Sequence, residues 1–214
     1  KTHTAQWAAD TYNITYNLDG GTNNGANPAT YTIETATITL QNPIKTGYTF
    51  DGWYDAEIDG NEVTHIILGS TGHKTLYARW TLNQYTVTFK DHDGDTLKTE
   101  TVNHGSDATA PADLSRTGYT FADWDAAFTN VTSDLTVTAT YAINQYTITF
   151  DSNGGSVVAS ITQNYDSDIT APDNPNKTGY TFNNWTPALP AKMPAESKTH
   201  TAQWAADTYN ITYN

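Results

Sequence analysis

Asp91, Asp93 and Asp95 alternate within Asp91-His92-Asp93-Gly94-Asp95, the one stretch that begins like a metal-binding loop. An EF-hand calcium loop draws oxygen ligands from alternate positions, but it also needs Gly at its sixth position and a bidentate Glu at its twelfth. Those positions hold Thr96 and Val102, and the corresponding stretches Asn17-Leu18-Asp19-Gly20 and Asp151-Ser152-Asn153-Gly154 read as turns. A solvated hairpin turn is the better reading. The six histidines (His3 and its copy His200, His65, His73, His92 and His104) contain no HExxH pair, and the chain has no Cys, which disfavours zinc. No G-x-S-x-G, P-loop or dinucleotide fingerprint is present. A hydrolytic carboxylate pair would have to be assembled in space, and repetition multiplies surfaces whereas an active site is usually single. The reading is therefore of no catalytic residue, no metal site, no cofactor and no enzyme.

Charge points the same way. Ten basic against twenty-three acidic residues give a net charge of −13, which argues against nucleic acid and anionic membranes as partners. No apolar run approaches the length of a membrane span, so no membrane insertion is expected of this segment. Thr, Tyr, Asn and Val are common, as in a β protein.

What the chain repeats is an aromatic phrase. GYTFDGWY runs from Gly47 to Tyr54, GYTFADWD from Gly118 to Asp125, and GYTFNNWT from Gly179 to Thr186. Each follows a cation and a Thr: Lys45-Thr46, Arg116-Thr117 and Lys177-Thr178. Tyr and Phe, two apart, share one face of an extended segment, and the Trp three residues on requires a bend or bulge, which Gly52 permits in the first copy. Trp80, Tyr141 and Trp204 close the modules. The expected core is thus Tyr48, Phe50, Trp53 and Trp80; Tyr119, Phe121, Trp124 and Tyr141; and Tyr180, Phe182, Trp185 and Trp204. A Cys-free module of about 60 residues needs such large aromatics, because its core is otherwise marginal. The shared cation position suits a role covering the Trp face.

The phrase belongs to modules built alike. Each opens on an alternating strand (Tyr12, Ile14, Tyr16; Tyr85, Val87, Phe89; Tyr146, Ile148, Phe150), followed by the turns Asp19-Gly20-Gly21, Asp93-Gly94 and Asn153-Gly154-Gly155. The turns predict a hairpin into a second strand near 30–40, 97–103 and 156–163. The phrase is the third strand, and a closing strand carries Leu76, Ala78, Trp80; Val137, Ala139, Tyr141; or His200, Ala202, Trp204 on its apolar face. Residues 1–17 recur unchanged at 198–214, an offset of 197 residues (198 less 1), so a three-module block is itself repeated. The expected division is 1–8, closing strand of a preceding module; 9–81, 82–142 and 143–206, three modules; and 207–214, opening strand of a following module. From closing aromatic to opening Tyr is always five positions (7 to 12, 80 to 85, 141 to 146, 204 to 209), although loops inside modules vary. A constant linker can hold neighbours in a repeated orientation; duplication that copied the linker would also produce it.

An opening such as YTITFDSNGG, a later [KR]-T-G-Y-T-F-x-x-W and a closing A-x-W resemble the Listeria–Bacteroides repeat, or internalin B-repeat, of bacterial cell-surface proteins. The resemblance covers all three modules. It implies a mainly β fold: tandem small β-grasp (ubiquitin-like) modules with mixed four-stranded sheets and little helix, first and last strands parallel at the centre, arranged as an elongated array. The second module departs most, with Lys90-Asp91-His92-Asp93 at its turn and Tyr141 in place of Trp. The family has no known catalytic centre. The expectation is a non-catalytic segment of a long extracellular protein, acting as stalk, spacer or filament shaft; the alternative is a multivalent adhesin module binding host protein or glycan. The corresponding partners are neighbouring modules of the same chain, other copies meeting end to end or through unpaired end strands, and, on the alternative, the host ligand.

Overall fold

The computed structural model describes residues 1–112 and 114–213. The chain falls into two compact units: Lys1–Thr88 with Thr99–Thr109 and Phe128–Thr136, and Phe89–Lys98 with Ala110–Ala127 and Val137–Asn214. Every element among the described residues is a strand or irregular, and no helix is long and apolar enough to cross a membrane.

The first module contains β1 (Thr11–Asn17), β2 (Thr30–Thr32), β3 (Ile38–Thr39), β4 (Tyr48–Tyr54), β5 (His65–Ile66) and β6 (Lys74–Leu82). Four of these form a sheet in the order β2-β1-β6-β4, with β1 and β6 parallel at its centre and both outer pairings antiparallel. Alternation places Ile14, Leu76 and Ala78 on the inner face, where they meet Tyr31, Leu40, Trp53 and Ile66. The long loops add a two-stranded sheet of their own, β3 with β5, in which Ile38 faces Ile66.

The second module contains β7 (Gln84–Lys90), β8 (Thr96–Asn103), β9 (Tyr119–Trp124) and β10 (Leu135–Ile143), in the order β8-β7-β10-β9. In the first unit its Val87, Val102, Ala108 and Val131 are buried, and in the second unit its Phe89, Val137 and Ala139. The third module contains β11 (Gln145–Asp151), β12 (Ile161–Asn164), β13 (Tyr180–Thr186) and β14 (Lys198–Ala206), in the order β12-β11-β14-β13. Here β11 and β14 run parallel, and Ile148, Phe150, Trp185, Met193 and Ala202 form the core. His200 is buried too, its Nδ1 donating to the Pro187 carbonyl at 2.6 Å. Tandem, mixed four-stranded β modules are therefore what the sequence encodes.

The second strands depart from expectation. Only Asp93-Gly94 makes a tight hairpin, closed by Asp91 N–H to the Asp95 carbonyl at 2.8 Å. In the first module the strand begins at Thr30 as expected but ends at Thr32, and in the third it begins only at Ile161; in both, the double-glycine turn serves another purpose. A Cβ at Gly21 would lie 2.6 Å from Trp80 Cζ2, and one at Gly155 would lie 2.5 Å from Trp204 Cζ2. The turn is a bed for the closing Trp, and the chain then runs on as loop.

Identical sequence does not mean identical structure. Residues 198–206 form β14, whereas their copy at 1–9 forms no strand; residues 11–17 form β1, whereas 208–213 form none. Asn214 lies outside the described residues. Lys198–Ala206 is flanked by β11 and β13, and Trp204 is half-buried; Trp7, with no such flanking strands, is 92% exposed. Pairing partners, not propensity, make these segments strands.

Candidate functional site

The aromatic phrase works through a bulge. Opposite the closing strand, Phe50 pairs with Trp80 and Gly52 with Arg79, so Asp51 is the extra residue; Ala122 and Asn183 are skipped likewise in the other copies. The added residue turns a spacing of three into a shared face. Phe50 and Trp53 then meet at 5.5 Å between ring centres, Phe121 and Trp124 at 5.5 Å, and Phe182 and Trp185 at 5.3 Å.

The stack continues at both ends. Below the Trp lies the second aromatic of the opening strand: Tyr16 at 5.1 Å, Phe89 at 5.0 Å, Phe150 at 4.8 Å. Above the Phe lies the closing aromatic: Trp80 at 5.3 Å, Tyr141 at 5.9 Å, Trp204 at 5.7 Å. The cation before the phrase caps it, with Lys45, Arg116 and Lys177 at 4.2, 3.8 and 4.6 Å from the Tyr48, Tyr119 and Tyr180 rings. The same cations lie 5.9, 5.5 and 5.7 Å from Trp80, Tyr141 and Trp204. Lys45 also pairs with Asp19 at 3.0 Å, and Lys177 donates to the Asn153 carbonyl at 3.0 Å, tying the cap to the turn.

Of the twelve aromatics assigned to the core, Trp53 and Trp185 are buried. Tyr48, Phe50, Trp80, Tyr119, Phe121, Trp124, Tyr141, Phe182 and Trp204 are half-buried. Tyr180 is not a core residue here: it is 43% exposed, whereas its counterpart Tyr119 has the Tyr165 ring packed edge-on at 5.9 Å.

The second module replaces the Trp bed with an acidic one. Trp80 and Trp204 donate their indole N–H to the carbonyls of Leu18 and Ser152, each at 3.0 Å. Tyr141 instead bonds Asp91, and His92 packs edge-on to its ring at 5.7 Å. Burial, then the Asp91 carboxylate, push the Tyr141 hydroxyl pKa up. Burial also acts to raise the Asp91 carboxyl, but hydrogen bonds from the His92 amide and ring and from Tyr141 outweigh it and hold its pKa below the usual value. Ligand atoms of Asp91, His92 and Asp93 lie within 4.8 Å of one another. Their hydrogen bonds are those of a turn: Asp91 Oδ1 accepts from His92 N–H at 2.8 Å and Asp93 Oδ1 from Asp95 N–H at 3.1 Å.

The residues that sequence reasoning missed stand where one module meets the next. Asn83 belongs to two sheets at once. Its N–H donates to the Gly47 carbonyl at 2.9 Å, extending the ladder of β4 with β6, and its carbonyl accepts from His104 N–H at 2.8 Å, extending that of β7 with β8. The side chain looks back, its Oδ1 accepting from Thr49 Oγ1 at 2.7 Å. Asn144 repeats this with Gly118 at 2.9 Å, Tyr165 at 2.9 Å and Thr120 at 2.7 Å. Asp207 repeats the backward half, with Gly179 at 2.9 Å and Thr181 at 2.7 Å. Because Gly47 and His104 both bond the same residue, the imidazole lies directly on Gly47 and leaves no room for a Cβ; the Tyr165 ring does the same to Gly118. A signal was present: Asn83, Asn144 and Asp207 are each the third residue after a closing aromatic and two before an opening Tyr.

The model of the Listeria-Bacteroides repeat domain matches residues 12–79, 85–144 and 146–208. Two relatives in Evansella cellulosilytica carry membrane-protein names, one of them Gly-rich. They are 30% identical over 98% and 85% of this chain, which spans 34% and 22% of their lengths. Internalin H of Listeria monocytogenes is 42% identical over 42% of the chain, corresponding to 16% of that protein. The chain thus spans about a third or less of each of these relatives. The three matched stretches each hold one copy of the aromatic phrase and its cation cap, and the chain belongs to the Listeria-Bacteroides repeat family.

Proposed function

We propose that this chain is a non-catalytic spacer segment of a bacterial cell-surface protein, a stretch of stalk or shaft that carries other parts of its protein outward. The observation that carries this reading is the repeated joint at Asn83 and Asn144. Each of these residues donates its amide to one module's phrase and its carbonyl to the next module's sheet. A linker hydrogen-bonded on both sides fixes an angle, where a flexible tether would leave it free. Family membership and the internalin relative support placement at the cell surface. The adhesin reading requires a recurrent exposed aromatic patch. The phrase instead turns its Phe and Trp inward and caps its Tyr with a cation in each module. Partners on the spacer reading are the neighbouring modules themselves.

Small-angle X-ray scattering on proteins with one, two and three copies of the block tests this. Equal increments in maximum dimension per copy are expected. Compact particles whose dimension rises only as the cube root of mass would overturn the spacer reading.

A further inference from the structure

The joints at Asn83 and Asn144 each have two halves: a glycine seat from the phrase, and a side chain from the residue just after the second strand. The register identifies the corresponding residue in the first module. Tyr146 pairs with Gln163, two before Tyr165; Tyr12 pairs with Tyr31, two before Ile33. Gln84 Nε2 bonds Asn103 as Gln145 Nε2 bonds Asn164, which places His104 in the same rank. His104 and Tyr165 are half-buried on their seats, whereas Ile33 is 45% exposed.

The third seat is the complement. Gly179 has the same left-handed backbone as Gly47 and Gly118, with φ of 75° against 80° and 78°. A Cβ there would meet only the Tyr209 hydroxyl, at 4.0 Å. Beside it Tyr180 is 43% exposed, where Tyr48 and Tyr119 are half-buried. Asp207 has already bonded Gly179 and Thr181. It is followed by Thr208–Asn214, whose sequence is that of Thr11–Asn17 in the module carrying Ile33.

We propose that the face around Gly179 and Tyr180 is a docking seat for the Ile33 turn of a second copy of this block, joined in register through the shared Lys1–Asn17 sequence. An apolar side chain fits: the seat is a glycine flanked by a tyrosine ring, and its two occupied counterparts take rings. Block would then follow block with the joint used inside it, which rests on the spacer reading for the tandem arrangement.

The test uses two proteins: this chain, and a tandem in which the second copy's Lys1–Asn17 coincides with the first copy's 198–214. Ile33→Asp is placed in the single chain and in the second copy of the tandem; Tyr165→Asp in the single chain is the reference. The expected result is no change in melting for Ile33→Asp in the single chain, but a fall of roughly 4–8 °C for the joined modules in the tandem. Silence in both proteins, or an equal fall in both, overturns the proposal. If Tyr165→Asp lowers melting while Ile33→Asp is silent in both, this proposal fails and the spacer reading stands; if Tyr165→Asp is silent too, both fail.

Discussion

The imidazole of His104 rests on Gly47, although the two residues belong to different modules, because both are hydrogen-bonded to Asn83. Tyr165 rests on Gly118 through Asn144 by the same arrangement. A glycine that opens the aromatic phrase therefore has two duties: a left-handed turn into the strand and a bare surface for the neighbour's ring.

Separating these duties gives the first prediction. Gly118→Ala and Gly179→Ala share the backbone penalty of about 1–2 kcal/mol, since their φ values are 78° and 75°. Only Gly118 lies under a ring, so Gly118→Ala costs about 1–3 kcal/mol more. Denaturant unfolding followed residue by residue in NMR spectra measures both; equal costs would mean that Tyr165 does not press on its seat.

The side-chain half of the joint is weaker. Thr120→Val and Asn144→Ala, singly and together, form a double-mutant cycle around the 2.7 Å bond from Thr120 to Asn144. Both groups are exposed, so a coupling of about 0.5–1 kcal/mol is expected. A coupling indistinguishable from zero would assign the joint to its backbone bonds alone.

Within modules the phrase Trp is the larger anchor. Trp53 is 3% exposed at the centre of its stack, and Trp53→Ala should cost about 3–5 kcal/mol. Trp124 is only half-buried, so the same substitution there should cost roughly 2 kcal/mol. The reverse order of costs would contradict the burial assigned to the second module.

The acidic bed of that module predicts a pH dependence. The folded-state pKa of Asp91 is depressed, so its contribution is present above the unfolded value of about 3.9 and is lost as pH falls through the folded value. Tyr141 is raised, so its contribution is present below about 10 and is lost as pH rises through its folded value. Asp91→Asn should flatten the acid limb of stability against pH for the second module and leave that of the third module unchanged. An unaltered acid limb would remove Asp91 from the account.

The sequence carried the modules more fully than their joints. Alternation at Tyr12, Ile14 and Tyr16 placed Ile14 inward, and the spacing of Phe50 and Trp53 required the bulge found at Asp51. These are local patterns. The seat of Gly47 is not local, because its occupant comes from the next module and differs in kind at each joint: His104 at one, Tyr165 at another. The double-glycine turns misled for a related reason, since Gly21 is glycine to admit Trp80 rather than to close a hairpin. The constant linker length was visible, but the two-sided bonding of Asn83 and Asn144 at its third position was not, because their partners lie far away in sequence.

Hydrogen exchange at the His104 and Tyr165 amides tests the joint most directly. These protons bond the carbonyls of Asn83 and Asn144, the residues through which each joint is made. A fixed joint predicts that both exchange as slowly, within about tenfold, as ladder amides of β7 and β11. Exchange as fast as exposed loops, with those ladders still protected, would show the modules to be loosely strung and contradict the account.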